Sequence, residues 1–223
     1  MVKVKICGIT NKEDALKAVE LGADFLGFVF VRDTPRYIEK NTVKDIIDEL
    51  AKDKKDATAK VGLFKDADKE EVIAAVKECG FDYVQLHGDE TPAYCEALKT
   101  DLEQKYKISI KILKTFKVSK EILECKGYKP GDYSFVDYFL FDTFHPDVPG
   151  GTGERFDAKI LAGEKENIEK AFFVAGGLRS ENVSNIIRAV CPYGVDVSSG
   201  VESSPGTKDH NLLKEFITNA KNA

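Results

Sequence analysis

The stretch "KVKICG", Lys3–Gly8, decides how the chain is read. It has the β-branched alternation of a strand, with Val4 and Ile6 on one side and Lys3, Lys5 and Cys7 on the other. A strand buried on both faces of an open parallel sheet reads as apolar almost throughout. Two ammoniums and a thiol sharing one side instead mark that side as the wall of a polar interior.

The rest of the sequence has the same rhythm. Short β-rich runs alternate with segments of helical period, which is the pattern of repeated βα units and a parallel sheet. Eight strands are predicted: 2–7, 25–30, 60–64, 83–86, 108–115, 138–142, 172–175 and 195–197. Between them "NKEDALKAVELG", "NTVKDIIDELAK", "ADKEEVIAAVKECG", "TPAYCEALKT" and "SENVSNIIRAV" read as amphipathic helices, several with a capping residue before or a glycine after. A short fifth helix is expected in "SKEILECKG" and a sixth in "FDAKILAGEKE", while "AKDKKDAT" reads as a solvated loop. Eight such units in 223 residues predict a (β/α)8 TIM barrel forming one domain over 1–223. An open doubly wound sheet is the alternative, but the G-x-G-x-x-G that would follow its first strand is missing from "KICGITNKED".

Composition narrows the class of ligand. Lys and Arg number 33 against 38 Asp and Glu, a net charge of -5. That balance argues against nucleic acid or an anionic membrane as partner and leaves room for a local pocket holding a small anion. Five scattered cysteines without a C-x-x-C pair predict neither a disulfide framework nor a zinc ribbon, and fit a reducing cytoplasm. Neither a signal peptide nor a run of transmembrane length is expected. The three histidines, His87, His145 and His210, lack metal-ligand spacing, so no catalytic metal is expected.

The phase of the first strand recurs. Gln85 and His87 alternate with Val84 and Leu86, Leu140 and Asp142 with Phe139 and Phe141, Asp196 and Ser198 with Val195 and Val197. Taken singly, Cys7 reads as a small buried hydrophobe and a strand-end lysine as solvated. Four strands agreeing in phase place chemical groups together at the C-terminal ends of strands one, four, six and eight, where barrel enzymes hold their sites. The loops after strands seven and eight, "VAGGLRSEN" and "VSSGVESSPGTKD", are built of glycine and small residues that let backbone N–H groups approach an oxyanion, and these are the barrel positions where phosphate is held. Arg36 in "RDTPRYI" offers a planar fork suited to a carboxylate. The loop "HPDVPGGTGERF", His145–Phe156, is long enough to close over a ligand.

These segments together resemble one family. "KICGIT", "GADFLGFVF", "TPRYI", "VGLF", "VQLHG", "PGGTGERFD", "AGGLRSENV" and "GVDVSSGVESSPGTKD" run in order from Lys3 to Asp209 and are similar to phosphoribosylanthranilate isomerase of tryptophan biosynthesis. The resemblance implies an Amadori rearrangement that uses one acid, one base, no cofactor and no metal, on a small phosphorylated substrate, in a monomer or homodimer. It implies Cys7 as base, Asp142 as acid and Arg36 as anchor of the anthranilate carboxylate. A phosphate cradle is implied around Gly176, Gly177, Ser199 and Gly200, with Asp196 orienting the substrate and Gln85 and His87 in support. A free thiol of pKa ~8.5 is only about 3% thiolate at pH 7, so inward-facing Lys5 is expected to raise that fraction. Two alternatives are a histidine-pathway isomerase performing the same rearrangement, in which aspartates serve as acid and base, and a barrel that binds without catalysing.

Overall fold

The computed structural model describes residues 1–53, 57–118, 123–125, 127–142, 161 and 168–223. Eight parallel strands, β1 Lys3–Cys7, β2 Phe25–Val29, β3 Ala59–Phe64, β4 Tyr83–Leu86, β5 Lys111–Val118, β6 Tyr138–Asp142, β7 Phe172–Ala175 and β8 Gly194–Val197, each pair with the next. The pairing of Lys5 with Asp196 joins β1 to β8, and that of Tyr83 with Lys111 joins β4 to β5, so the sheet closes on itself. This is the expected eight-stranded barrel, and closure gives each of its eight strands a parallel neighbour on both sides.

Strand alternation divides the apolar residues into two clusters. Outward side chains such as Ile6, Phe28, Val84, Phe141 and Val195 pack against helix residues such as Ala15, Val72, Leu98 and Phe216 in the main core. Inward side chains Phe25, Val61, Leu113, Leu140, Phe173 and Ala175 form a separate cluster. At the N-terminal end of the barrel the Phe25 ring meets Tyr83 edge-on at 5.2 Å and Phe173 at 5.3 Å, and Tyr138 and Tyr193 complete an aromatic plug. Polar groups are therefore confined to the middle and the C-terminal end of the interior.

The helices form where capping chemistry permits. Lys12–Glu20 starts with the Asn11 side chain accepting from the Asp14 N–H, and Pro92–Thr100 starts with Thr91 accepting from the Tyr94 N–H, a proline following it. Among the described residues no helix is long and apolar enough to cross a membrane.

The fifth βα unit departs from expectation in two ways. Lys107 turns left-handed at φ 58 and the Ile108 N–H closes onto the Leu102 carbonyl, so β5 begins at Lys111 and extends to Val118. Within the predicted helix "SKEILECKG" the described residues are not helical: Leu123–Glu124 pairs antiparallel with Lys117 and Val118, and residues 119–122 and 126 lie outside the described residues. Strand β5 continues outward because Phe116 and Val118 keep an apolar outer face, and the chain then doubles back on it. The predicted sixth helix, apart from Leu161, and the loop His145–Phe156 lie outside the described residues.

Candidate active site

At the C-terminal mouth of the barrel is a cavity of about 250 Å³. Its wall contains Cys7, Arg36, Asp142, Gly176, Gly177, Asp196, Ser199 and Gly200, so the structure brings every expected site residue to one place. Gln85 and His87 line it too. Lys3 belongs elsewhere: it sits at the N-terminal rim, its ammonium 2.9 Å from Asp24.

Cys7 ends β1 and faces inward beside Lys5. The Lys5 ammonium is fully buried and lies 2.9 Å from Asp196 Oδ1 on the adjacent β8. Room for both groups comes from Gly27 on β2, where a Cβ would stand 2.9 Å from Cys7 Sγ and 3.0 Å from Lys5 Nζ. Any larger residue there would displace the thiol or the ammonium. Burial is the largest influence on the thiol and pushes it up; the Lys5 charge opposes this, and Asp196 adds to the rise. The expected thiolate-promoting effect of Lys5 is thus present but outweighed, by burial of the thiol first and by the Asp196 carboxylate in addition. Lys5 itself stays protonated: burial alone would lower it, and Asp196 and Cys7 together raise it.

Asp142 ends β6, where His87 Nε2 comes within 3.4 Å of its Oδ2. The His87 Nδ1 in turn lies 3.1 Å from Gln85 Nε2, which also donates to Thr115 Oγ1 at 3.3 Å. With the amide nitrogen turned to Nδ1, that ring atom accepts and Nε2 carries the hydrogen that faces Asp142. Gln85 Oε1 and Ser198 Oγ are buried without a hydrogen-bond partner among the described residues. A buried acceptor left unpaired costs about 1–3 kcal/mol. Both residues line the cavity, where the hydroxyl groups of a bound molecule would satisfy them.

The glycine loops meet at the opposite wall. Gly176 and Gly177 have φ 89 and φ 63, values that disfavour any side chain. A Cβ on Gly200 would lie 1.9 Å from the Leu178 carbonyl oxygen, so the loops after β7 and β8 touch backbone to backbone. Ser199–Val201 forms a short 3-10 turn there. Such a concave array of backbone amides suits an oxyanion.

Arg36 is held by the segment after β2, which folds back so that the Ile38 N–H donates to the Val29 carbonyl at 3.1 Å. Its guanidinium grips Glu202, Nε to Oε1 at 2.8 Å and Nη2 to Oε2 at 2.6 Å. The Lys208 ammonium reaches the same carboxylate at 2.9 Å. Burial would raise the Glu202 carboxyl, but the hydrogen bond from Arg36 and the charge of Lys208 outweigh it and hold it below the usual range. Glu202 and Lys208 did not stand out in the sequence reading, where both were absorbed into a loop of small residues. The only local signal was a glutamate and a lysine flanking a Ser-Pro-Gly turn.

Comparison with known proteins places this geometry. A family model described as N-(5'phosphoribosyl)anthranilate (PRA) isomerase matches residues 4–219. An N-(5'-phosphoribosyl)anthranilate isomerase of Geobacter sp. (strain M21) is 43% identical over 223 residues, covering 99% of this chain and 98% of the relative. The crystal structure of phosphoribosyl anthranilate isomerase from Thermotoga maritima superposes with a TM-score of 0.83 at 37% identity, covering 100% of both chains. A second structure of such an isomerase, in complex with reduced 1-(o-carboxyphenylamino)-1-deoxyribulose 5-phosphate, has a TM-score of 0.81 at 35% identity and full coverage of both chains.

Proposed function

The chain belongs to the N-(5'-phosphoribosyl)anthranilate isomerase family and is an isomerase of tryptophan biosynthesis, and on that premise we propose that Cys7 serves as its base and Asp142 as its acid. The reaction converts N-(5'-phosphoribosyl)anthranilate into 1-(2-carboxyphenylamino)-1-deoxyribulose 5-phosphate. The histidine-pathway alternative and the inactive barrel fall away with the family assignment.

The observation that carries the division of roles is the placement of Cys7 and Asp142 on β1 and β6 around one cavity whose remaining walls offer a cation and an amide cradle. Arg36 takes the anthranilate carboxylate, and the amides around Gly176, Gly177, Ser199 and Gly200 take the phosphate. The ribose then spans the space between, with Asp196 at its floor. Asp142 gives its proton to the ring oxygen while the anthranilate nitrogen pushes electrons into the anomeric carbon, opening the ring to a protonated Schiff base. Cys7 takes the proton from the adjacent sugar carbon, leaving an enolamine. That enolamine loses its hydroxyl proton and gains one at the former anomeric carbon to become the ketone.

Asp142 must carry a proton to act first. His87, 3.4 Å from Asp142 Oδ2, fixes the direction of the carboxyl toward the sugar. A monomer or homodimer is proposed as the working unit: all the described residues of the cavity wall come from one chain, and a similar isomerase from Thermotoga maritima is called dimeric and has been made monomeric. All five cysteines are free, which supports a reducing cytoplasm.

The test uses substrate labelled with deuterium on the carbon that loses its proton. Wild type should wash the label into water. Cys7→Ser should retain it, with turnover lowered about 10²–10⁴-fold, the contribution of a positioned acid or base. Rapid label loss from substrate bound to Cys7→Ser would assign the base elsewhere.

A further inference from the structure

Arg36 is gripped from behind. It lines the cavity, whereas Glu202, whose side chain is only 5% exposed, lies outside the cavity wall. Glu202 occupies the Nε–Nη2 edge of the guanidinium, which leaves Nη1 and the outer hydrogen of Nη2 as a second fork for another carboxylate.

Glu202 in turn is fixed by a strand pair. Glu202–Ser204 runs antiparallel to Thr207–Lys208, with Glu202 directly opposite Lys208. The fully buried Lys208 ammonium spends its three hydrogens on the Cys7 carbonyl at 2.6 Å, the Ser198 carbonyl at 3.2 Å and Glu202 Oε1 at 2.9 Å. It therefore ties the ends of β1 and β8 to the carboxylate that aims Arg36. The charges also matter. An Arg36–Glu202 pair alone would be neutral and would attract a carboxylate weakly; Lys208 returns the cluster to a net positive charge without entering the cavity. Lys5 and Asp196 form a separate pair whose charges cancel.

We propose that Glu202 and Lys208 are positioning residues that act through Arg36 to set specificity for a substrate bearing a ring carboxylate. Glu202 supplies the aim, Lys208 the charge balance. This rests on the reading of Arg36 as the carboxylate anchor and extends it.

The experiment measures inhibition by the reduced carboxyphenylamino-deoxyribulose phosphate, by the same molecule without its carboxylate, and by inorganic phosphate. Glu202→Gln adds net positive charge to the cluster but loses the charged fork that aims Arg36; with the aim the larger effect, the carboxylated inhibitor should weaken about tenfold or more, the scale of a hydrogen bond to a charged group, while the other two bind as in wild type. Lys208→Met should move the same ratio in the same direction, and Glu202→Asp, which keeps the charge but shortens the reach, provides a milder variant. In the Arg36→Met background the effect of Glu202→Gln on the ratio should vanish, because the two act as one unit. Equal weakening of both organic inhibitors, or an effect that persists without Arg36, would reduce Glu202 to a structural residue and overturn the proposal. Unchanged discrimination in Arg36→Met alone would overturn the anchor itself, an outcome distinct from normal loss in Arg36→Met with none in Glu202→Gln.

Discussion

Replacing Lys5 by methionine should move the Cys7 thiol further from its working form, and the structure sets the scale. Lys5 Nζ and Cys7 Sγ both approach the point where a Gly27 side chain would begin, at 3.0 and 2.9 Å. The two atoms therefore stand within about 6 Å, where a unit charge pair in a medium of effective dielectric about 20 is worth about 3 kcal/mol. Losing that charge raises a thiol that burial already holds high. Below the thiol pKa, an energy of that size means about a 100-fold smaller thiolate fraction and a similar fall in kcat/KM. Because Asp196 also raises the thiol and acts less strongly than Lys5, the double variant Lys5→Met/Asp196→Asn should shift the thiol in the same direction by less. Stability should follow the opposite order. Lys5→Met leaves a buried carboxylate without its cation, a loss of about 3–5 kcal/mol, and the double variant should recover much of it. Thiolate ultraviolet absorbance against pH, taken as the difference from a Cys7→Ser counterpart, isolates the group; a Cys191→Ser background removes the exposed thiol. A thiol titration that is unchanged or lowered in Lys5→Met would refute the electrostatic reasoning, whatever the activity.

Two other outcomes are expected. Gly200→Ala drives a Cβ against the Leu178 carbonyl, 1.9 Å away in the present backbone, so the two anion-holding loops must part. Inhibition by inorganic phosphate should weaken on the order of tenfold, one charge-assisted hydrogen bond lost, in a protein whose near-ultraviolet dichroism shows it folded; unchanged inhibition would move the cradle elsewhere. At the other end of the barrel, burial would raise the Asp24 carboxyl, but hydrogen bonds from Lys221 and Lys3 outweigh it and hold it below the ordinary carboxylate value. The unfolded chain therefore binds that proton more tightly, so the stability this pair contributes is present above the ordinary carboxylate pKa and is lost as pH falls through the folded value. Asp24→Asn should cost about 1 kcal/mol at neutral pH and less in acid, and denaturant unfolding at several pH values checks this.

Much of the site was legible because strand alternation has a strict period. Once Lys5 and Cys7 share a side, and Asp142 and Asp196 hold the same phase in their own strands, closure of the barrel must turn all of them inward. The glycines after β7 and β8 were legible for a similar reason, since a backbone that must approach an anion has few residue choices. The failed fifth helix shows the limit of such local signals. "SKEILECKG" carries helical spacing, but the outward apolar face of Phe116 and Val118 prolongs β5 and captures Leu123 and Glu124 as a strand.

Partnership across the chain was decided only by the tertiary structure. Lys5 and Asp196 are 191 residues apart, and Arg36 and Glu202 are 166 apart. Periodicity states which way a side chain points, but the register between β1 and β8 determines what it meets, and that register follows from closing eight strands at once. The balance of charges around Cys7 has the same origin. From sequence alone Lys5 is a bare cation beside a thiol; in the barrel a carboxylate shares its charge and burial removes the water that would solvate a thiolate, so desolvation prevails.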